Sequence, residues 1–154
     1  MTSITAAAPT TRHCAFRVGD HCLAVEADAV AEVLAARPVT RVPLASAGII
    51  GLVHLRGRIV PILDPAVRLG LSVPADRPRA AHLVLRAADD AWCGLLVDEV
   101  LDVIDVPAAA VERPAAADTE SPHAGIFAAE GHVVHLLDFR RMIQSPLRPR
   151  PQPT

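Results

Sequence analysis

Aromatic and lysine side chains are what this 154-residue sequence has least of. It contains no tyrosine, one tryptophan and three phenylalanines, and all 15 of its basic residues are arginines. So few aromatic rings argue against a protein that stacks on bases, cages a cation or binds carbohydrate on a ring surface. The formal charge of −2 points the same way, because nucleic-acid binders usually carry a basic excess.

Long apolar runs and paired cysteines are also missing. No stretch approaches the roughly 20 uncharged apolar residues that a membrane-spanning helix needs, and residues 1–6 lack the features of a signal peptide. Cys14, Cys22 and Cys93 match neither a disulfide framework nor a zinc spacing. We therefore expect a cytoplasmic protein without direct membrane insertion, whose reduced thiols are small core residues.

Motifs of catalysis and metal binding are absent as well. The sequence has no HExxH, no CxxC and no glycine-rich phosphate loop. Seven histidines and three cysteines still leave a metal-binding β-domain as an alternative, in which His13-Cys14 and His21-Cys22 face each other across a short hairpin. His132 and His135 would point to opposite faces of a strand, which spoils chelation. We assign no catalytic residue, no metal ligand and no cofactor.

The residues that are present predict many short strands. The sequence is 51% hydrophobic, enough for a core in one domain. Glycine or proline interrupts short runs of Val, Leu and Ile roughly every 8 to 15 residues, which is typical of β-proteins. Two hairpins are expected, residues 14–18 with 21–26 and residues 81–86 with 92–97. Residues 27–36 fit either a strand or a short helix.

The two ends differ from the middle in composition. Residues 1–12 are small and polar and predict a flexible N-terminal arm. Residues 145–154 form a Pro-rich C-terminal tail, which is either a solvated end or a docking peptide for a groove on another protein. Residues 13–144 are therefore the folded part.

An imperfect internal repeat runs through that part. Residues 30–34 match residues 97–101, residues 47–49 match 124–126, and residues 57–64 match 131–138, in the same order. The repeat predicts two similar β units that share one core, because each unit of about 65 residues would be marginal alone.

The two repeats differ most clearly at Arg56, where the second repeat has Glu130. Arg56 lies in an otherwise apolar stretch, and a guanidinium there needs an acidic partner or access to solvent. Glu32 is the expected partner. Two interpretations stay open: a partly buried arginine that ties two strands, or an arginine at the rim of an interface.

Residues 50–64 read IGLVHLRGRIVPILD and resemble the signature of the CheW family of chemotaxis adaptors, with His54 in place of the family's usual Asn. The flanking features of that family are also present, and the resemblance covers about residues 13–144. It implies an all-β fold with short helical turns, in which two SH3-like five-stranded β-barrel subdomains pack around a shared core. It implies no enzymatic activity.

The resemblance also implies partners and site residues. The partners would be the cytoplasmic tip of a chemoreceptor and the regulatory domain of a CheA-type histidine kinase. One alternative is a pilus, surface-sensing or cyclic-nucleotide signalling pathway that is built in the same way. Another alternative is a purely structural β module that binds a different partner. The implied partner-binding residues are Val30, Glu32, His54, Leu55 and Arg56. The implied structural residues are Gly57, which would permit a tight entry into the next strand, Pro61 of the motif, and Asp64, which would cap or order the turn over residues 65–69.

Overall fold

The computed structural model describes residues 9–43, 45, 48–87, 89–113, 121–129 and 131–144. These residues form ten β-strands, two short α-helices and two single 3₁₀ turns at Ala27–Ala29 and Ala108–Ala110. The strands are β1 (Thr10–Val18), β2 (His21–Glu26), β3 (Val30–Ala35), β4 (Ile49–Leu55), β5 (Arg58–Leu63), β6 (Ala81–Arg86), β7 (Trp92–Val97), β8 (Glu99–Pro107), β9 (His123–Ala129) and β10 (His132–Leu137). The helices are α1 (Pro65–Leu69) and α2 (Phe139–Gln144).

The strands form two five-stranded sheets. Sheet A has the order β8-β1-β2-β10-β9, and sheet B has the order β3-β6-β7-β5-β4. Neighbouring strands are antiparallel except for β2 with β10 and β5 with β7, which are parallel. The predicted all-β class with short helical turns is confirmed.

Both predicted hairpins are present. β1 pairs with β2 across Gly19-Asp20, and β6 pairs with β7 in the register that joins Arg86 to Trp92. The ambiguous stretch 27–36 contains one 3₁₀ turn followed by β3. β1 begins at Thr10, so residues 10–12, which the sequence placed in the arm, pair with β8 instead. Residues 1–8 and the Pro-rich tail 145–154 lie outside the described residues.

The internal repeat is real, but the two repeats are not the two sheets. The first repeat comprises β1–β5 with α1, and the second comprises β6–β10 with α2. Strands β1 to β5 correspond in order to β6 to β10. When each strand of sheet A is exchanged for its counterpart in the other repeat, the order β8-β1-β2-β10-β9 becomes β3-β6-β7-β5-β4, the order of sheet B. Each sheet therefore takes a hairpin from one repeat and three strands from the other. This interleaving explains why neither repeat has a core of its own.

In β4 and β5 of the first repeat and β9 and β10 of the second, equivalent residues are 74 positions apart. Asp64 and Asp138 each precede a short helix, and Gly57 and Gly131 each lie in a turn. In this register Gly125 is the counterpart of Gly51 rather than of Gly48, which the sequence comparison had matched to it. Ala47 of that comparison lies outside the described residues.

In each sheet, one isolated backbone bridge links the segment beyond one edge strand to the opposite edge strand. β3 and β4 are the edges of sheet B, yet Thr40, just beyond β3, exchanges backbone hydrogen bonds of 2.9 and 2.8 Å with Leu52 of β4. In sheet A, Glu112 and Ile126 make the equivalent pair at 2.9 and 2.8 Å. Pairing the edges in this way protects the unpaired backbone groups of edge strands.

One core joins the two sheets. Phe16 and Leu23 of sheet A are fully buried against Leu83 and Leu95 of sheet B, and Met142 of α2 closes the cluster. A second cluster lies inside sheet B and a third inside sheet A. Because strands such as β6 face the shared core on one side and their own sheet's core on the other, they are buried on both faces. The predicted shared core is confirmed.

The segment between α1 and β6, residues 70–80, ties the repeats together and is called the strap here. Its Arg77 donates hydrogen bonds to Asp98 (2.6 Å) and to Asp64 (2.8 Å), and all three residues are buried. Asp98 also accepts from the backbone N–H of Gly19 at 2.8 Å. The strap thus connects α1, the end of β7 and the first hairpin.

Candidate partner-binding surface

Arg56 and Gly57 form the two-residue turn between β4 and β5. Leu55 pairs with Arg58, and the turn residues have φ values of 50° and 76°. Positive φ at both positions is the type I′ turn that matches the twist of a β-hairpin. Gly57 adopts this conformation without strain, and no atom would meet an added β-carbon there within 4 Å. Arg56 is therefore presented at the tip of a tight hairpin and not along a strand.

The predicted pair between Arg56 and Glu32 is present. Arg56 donates from Nε and Nη2 to the two carboxylate oxygens of Glu32, at 3.0 and 3.1 Å. Glu32 lies on β3 and the turn follows β4, so this bidentate pair joins the two edges of sheet B. The Arg56 side chain is 72% exposed and that of Glu32 is 23% exposed. Arg56 is thus a surface residue that also ties two edges.

The contact between Arg56 and Glu32 favours the charged form of both side chains. The hydrogen bond from Arg56 is the main reason that the pKa of Glu32 lies below its ordinary value. The same contact raises the pKa of Arg56. Glu32 is therefore ionised throughout the neutral range, and a fully charged, oriented guanidinium faces solvent at the hairpin tip.

Apolar residues surround the pair on β3 and β5. Leu34 lies on the same side of β3 as Glu32 and is half-buried against the core of sheet B. Val30 precedes a β-bulge in β3 and packs, half-buried, against the shared core instead. Val33 points the other way and is exposed. On the hairpin, exposed His54 lies opposite Ile59, which is 68% exposed. We call Glu32, His54, Arg56 and Ile59 the Arg56 edge.

Leu55 is not part of this surface. Its side chain is only 4% exposed and packs in the core of sheet B with Val53 and Val60. Alternation along β4 explains the difference, because Val53 and Leu55 point inward whereas His54 points outward. Ile59 was not singled out from the sequence, although the two-residue turn already sets it opposite His54.

The residues expected to be structural have identifiable places. Pro61 lies on β5 opposite Leu52, immediately before Ile62 and Leu63, the residues through which β5 pairs with β7. Proline has no N–H to offer the ladder, so this pairing begins after it. Asp64 is the N-cap of α1, since its carboxylate accepts from the Ala66 N–H at 3.0 Å, and it also binds Arg77.

A second cluster beside the turn was not anticipated. The Arg58 guanidinium lies 4.8 Å from the centre of the Trp92 ring and 3.1 Å from the Asp90 carboxylate. Trp92 donates its indole N–H to Asp90 at 3.2 Å. These contacts lower the pKa of Asp90, with the Trp92 hydrogen bond as the largest cause. Arg58 is two residues after Arg56 in the hairpin, so its contact places the only tryptophan of the chain beside this turn.

The arrangement of His and Cys suggested for a metal site is wrong. His13 pairs with Glu26 and Cys14 with Val25, whereas Cys22 lies opposite Arg17. Across the part of the chain that the structure describes, no group of three or more His, Cys, Asp or Glu side chains could hold a metal ion. Burial raises the pKa of Cys93 to about 12, so that this thiol stays protonated.

None of the helices that the structure describes has the length and apolar character needed to cross a bilayer.

Comparison with known proteins gives one consistent family. The family model described as the CheW-like domain matches residues 12–147. The chain is similar to the chemotaxis protein CheW of Rhizobium meliloti, with 35% identity over 85% of this chain and 86% of that protein. It is also similar to the protein FrzA of Myxococcus xanthus, with 30% identity over 90% and 89% of the two chains. The crystal structure of the scaffolding protein TtCheW from Thermoanaerobacter tengcongensis has the same fold, with a TM-score of 0.74, 21% identity and coverage of 84% and 90%.

Proposed function

Because this chain belongs to the CheW-like family, we propose that it is a noncatalytic adaptor that links the cytoplasmic tip of a chemoreceptor to the regulatory domain of a CheA-type histidine kinase. The observation that carries the proposal is the bidentate pair of Arg56 and Glu32 at the tip of the β4–β5 hairpin. We place the receptor contact on the Arg56 edge.

The geometry of this edge suits recognition. Arginine at an interface contributes most when it is held in one orientation beside apolar surface. Glu32 holds the Nε and Nη2 side of the guanidinium, and no described residue bonds its Nη1. Ile59 supplies exposed apolar area next to His54, which offers both a donor and an acceptor. A receptor surface with an acceptor group and an apolar contact would complement the edge.

An adaptor must also hold its two partners in a fixed relation. The shared core and the Asp64–Arg77–Asp98 network make the two sheets one body. A receptor bound at the Arg56 edge and a kinase domain bound elsewhere on the sheets therefore keep a defined geometry. Coupling between the two sites then needs no chemistry, only a difference in contacts between two states of the assembly.

The test is a binding measurement with a purified receptor cytoplasmic fragment. We expect Arg56→Ala to weaken binding about tenfold or more, which is about 1.4 kcal/mol. Arg79→Ala is the matched control, because Arg79 is an exposed arginine of the strap away from the edge. Both variants must keep the circular dichroism spectrum of the wild type. Equal affinity of the two variants would remove the Arg56 edge from the receptor contact.

A reconstituted assay tests the adaptor role itself. Receptor-containing vesicles and the kinase are mixed with this chain, and kinase autophosphorylation is followed with and without attractant. We expect receptor control of the kinase to require the chain and to fall with Arg56→Ala but not with Arg79→Ala. Kinase control that is unchanged when the chain is omitted would contradict the proposal.

A further inference from the structure

The hairpin that carries Arg56 is joined to its neighbouring strand over a shorter length than its counterpart in the second repeat. There, β10 pairs with β2 at residues 134–136. In the first repeat β5 pairs with β7 only at residues 62–63, because Pro61, which has no N–H to donate, stands where the second repeat has His135. The two backbone pairs nearest the hairpin tip are therefore missing between β5 and β7.

Side chains make the connection that the backbone lacks at this point. The Arg58 guanidinium lies over the Trp92 ring, 4.8 Å from its centre, and 3.1 Å from the Asp90 carboxylate. Trp92 packs, half-buried, against the core of sheet B, so the ring has a fixed place. Asp90 has a φ of 62°, which is uncommon for a residue other than glycine, and accepts the indole N–H at 3.2 Å. We call Arg58, Asp90 and Trp92 the Arg58 cluster.

The hairpin tip is thus attached in two directions by arginines two residues apart. Arg56 binds Glu32 of β3, and Arg58 binds Asp90 in the turn between β6 and β7. One ion pair alone would leave the tip free to rotate about that contact, and the second attachment removes this freedom. The Arg58 side chain is 46% exposed, against 72% for Arg56, so it is the more covered of the two. Its guanidinium is engaged by a ring face and a carboxylate, whereas that of Arg56 faces solvent.

We propose that Arg58, together with Trp92 and Asp90, is a positioning residue for receptor binding, which fixes the hairpin tip so that Arg56 keeps the orientation in which it binds Glu32 and faces the receptor. This inference rests on the function proposed above, with the Arg56 edge as the receptor contact. Its physical basis is preorganisation, because a guanidinium that is already oriented loses less conformational entropy on binding. Arg58 acts through Arg56 and does not itself touch the receptor.

The test combines receptor affinity with an NMR titration of Glu32. We expect Arg58→Ala to weaken binding of the purified receptor cytoplasmic fragment about two- to fivefold, the fold-change that corresponds to an exposed cation–π contact. The pKa of the Glu32 carboxyl, followed by ¹³C NMR, should rise toward its ordinary value, because the hydrogen bond from Arg56 forms less often. Arg58→Lys keeps a cation over the Trp92 ring and should restore most of the affinity. Arg79→Ala, in the exposed part of the strap, is the control and should change neither quantity.

A double variant separates positioning from direct contact. If Arg58 acts through Arg56, the variant with both Arg56→Ala and Arg58→Ala binds the receptor fragment as weakly as Arg56→Ala alone. All variants must keep the circular dichroism spectrum of the wild type, and Arg58→Gln takes the place of Arg58→Ala if the alanine variant does not. A further loss of affinity in the double variant would overturn the proposal, since Arg58 would then contact the receptor itself.

The titration decides the positioning independently of the receptor. An unchanged pKa of Glu32 in Arg58→Ala would overturn the proposal whatever the affinity, because Arg56 would then be held without Arg58. Failure of the proposed receptor contact gives a different result. In that case Arg56→Ala keeps the wild-type affinity while the pKa of Glu32 still rises in Arg58→Ala, which supports the positioning of Arg56 and rejects the receptor contact.

Discussion

Arg77 donates a hydrogen bond of 2.6 Å to Asp98, and both side chains are 2% exposed. The guanidinium also binds Asp64, and Asp98 also accepts from Gly19. One arginine of a loop therefore binds two buried carboxylates and joins elements of both repeats. Buried charges of this kind are tolerated only when they remain fully paired.

Removing Arg77 should therefore be far more damaging than removing a surface arginine. We expect Arg77→Met to destabilise the protein by about 3–5 kcal/mol, because it leaves the carboxylates of Asp64 and Asp98 buried without a counter-charge. Urea unfolding followed by circular dichroism measures the change. Arg79→Met, two residues away and exposed, is the control and should change stability little. Similar stability of the two variants would show that the network is not needed for the fold.

The substitution Arg56→Asn separates the effect of residue 56 on the stability of the turn from the effect of its charge on receptor binding. Asparagine is favoured over arginine at positive φ and precedes glycine in the preferred type I′ sequence. We expect Arg56→Asn to unfold at the same temperature as the wild type or above it, since Arg56 has φ of 50° and is followed by Gly57. We expect it nevertheless to lose receptor affinity as Arg56→Ala does. A less stable Arg56→Asn variant with normal affinity would mean that the pair with Glu32 serves the fold alone.

The sequence predicted what is decided locally. Turn residues at positions 19–20 and 89–90 were sufficient for two hairpins. The Arg56–Glu32 pair was predicted because a guanidinium in an apolar stretch needs an acidic partner. The repeat and the motif of residues 50–64 predicted a double β fold with a shared core. The hairpin signals lie within a few residues, and the other predictions depend on the order of motifs or on the need of one buried charge for a partner, so no knowledge of tertiary packing was needed.

Features that depend on packing between distant elements were missed. Arg77 lies in the polar sequence ADRPR, which is typical of a solvated loop, and its partners are 13 and 21 residues away. Likeness between two repeats does not tell which strands share a sheet, so the interleaving of the halves was not foreseen. Leu55 was grouped with its exposed neighbours because the motif, and not the alternation along β4, was used to choose residues.

Buried His82 should make stability depend on pH. Its side chain is 1% exposed, and burial is the main reason that its pKa is lowered, with Arg37 as a second cause. The unfolded chain, with a histidine pKa near 6.5, therefore binds the proton more readily than the folded one. We expect the stability contributed by neutral His82 to be present above about pH 6.5 and to be lost as the pH falls through the folded pKa.

Urea unfolding at several pH values between 7.5 and 5.5 measures this effect. We expect His82→Phe to reduce the slope of stability against pH in that interval, because the variant has no imidazole to protonate. An NMR titration of the His82 ring in the folded protein is the direct check. A ring that titrates at or above pH 6.5 would contradict the expected direction.

The contribution of the Arg56–Glu32 pair to binding can be measured by exchanging the charges. Glu32→Arg and Arg56→Glu should each weaken receptor binding, because each places like charges beside one another at the edge of sheet B. The double variant should recover part of the loss if the two side chains act as a pair, since it restores opposite charges at the same two positions. A double-mutant cycle of receptor affinity provides the coupling. Strictly additive losses would show that Glu32 and Arg56 contact the receptor independently.

The meeting of the two edges of sheet B depends on a close backbone approach at Gly51. A β-carbon added there would overlap the carbonyl group of Thr40, whose backbone bonds to Leu52 link the edges. We expect Gly51→Ala to cost about 1–3 kcal/mol, the usual range for overpacking, and to speed hydrogen exchange of the Thr40 and Leu52 amides selectively. Gly57→Ala is the matched control, because its β-carbon meets no atom within 4 Å and its strain is confined to the turn. It should destabilise the hairpin without selective loss of protection at Thr40 and Leu52. Equal exchange at these two amides in both variants would mean that the edges meet without help from Gly51.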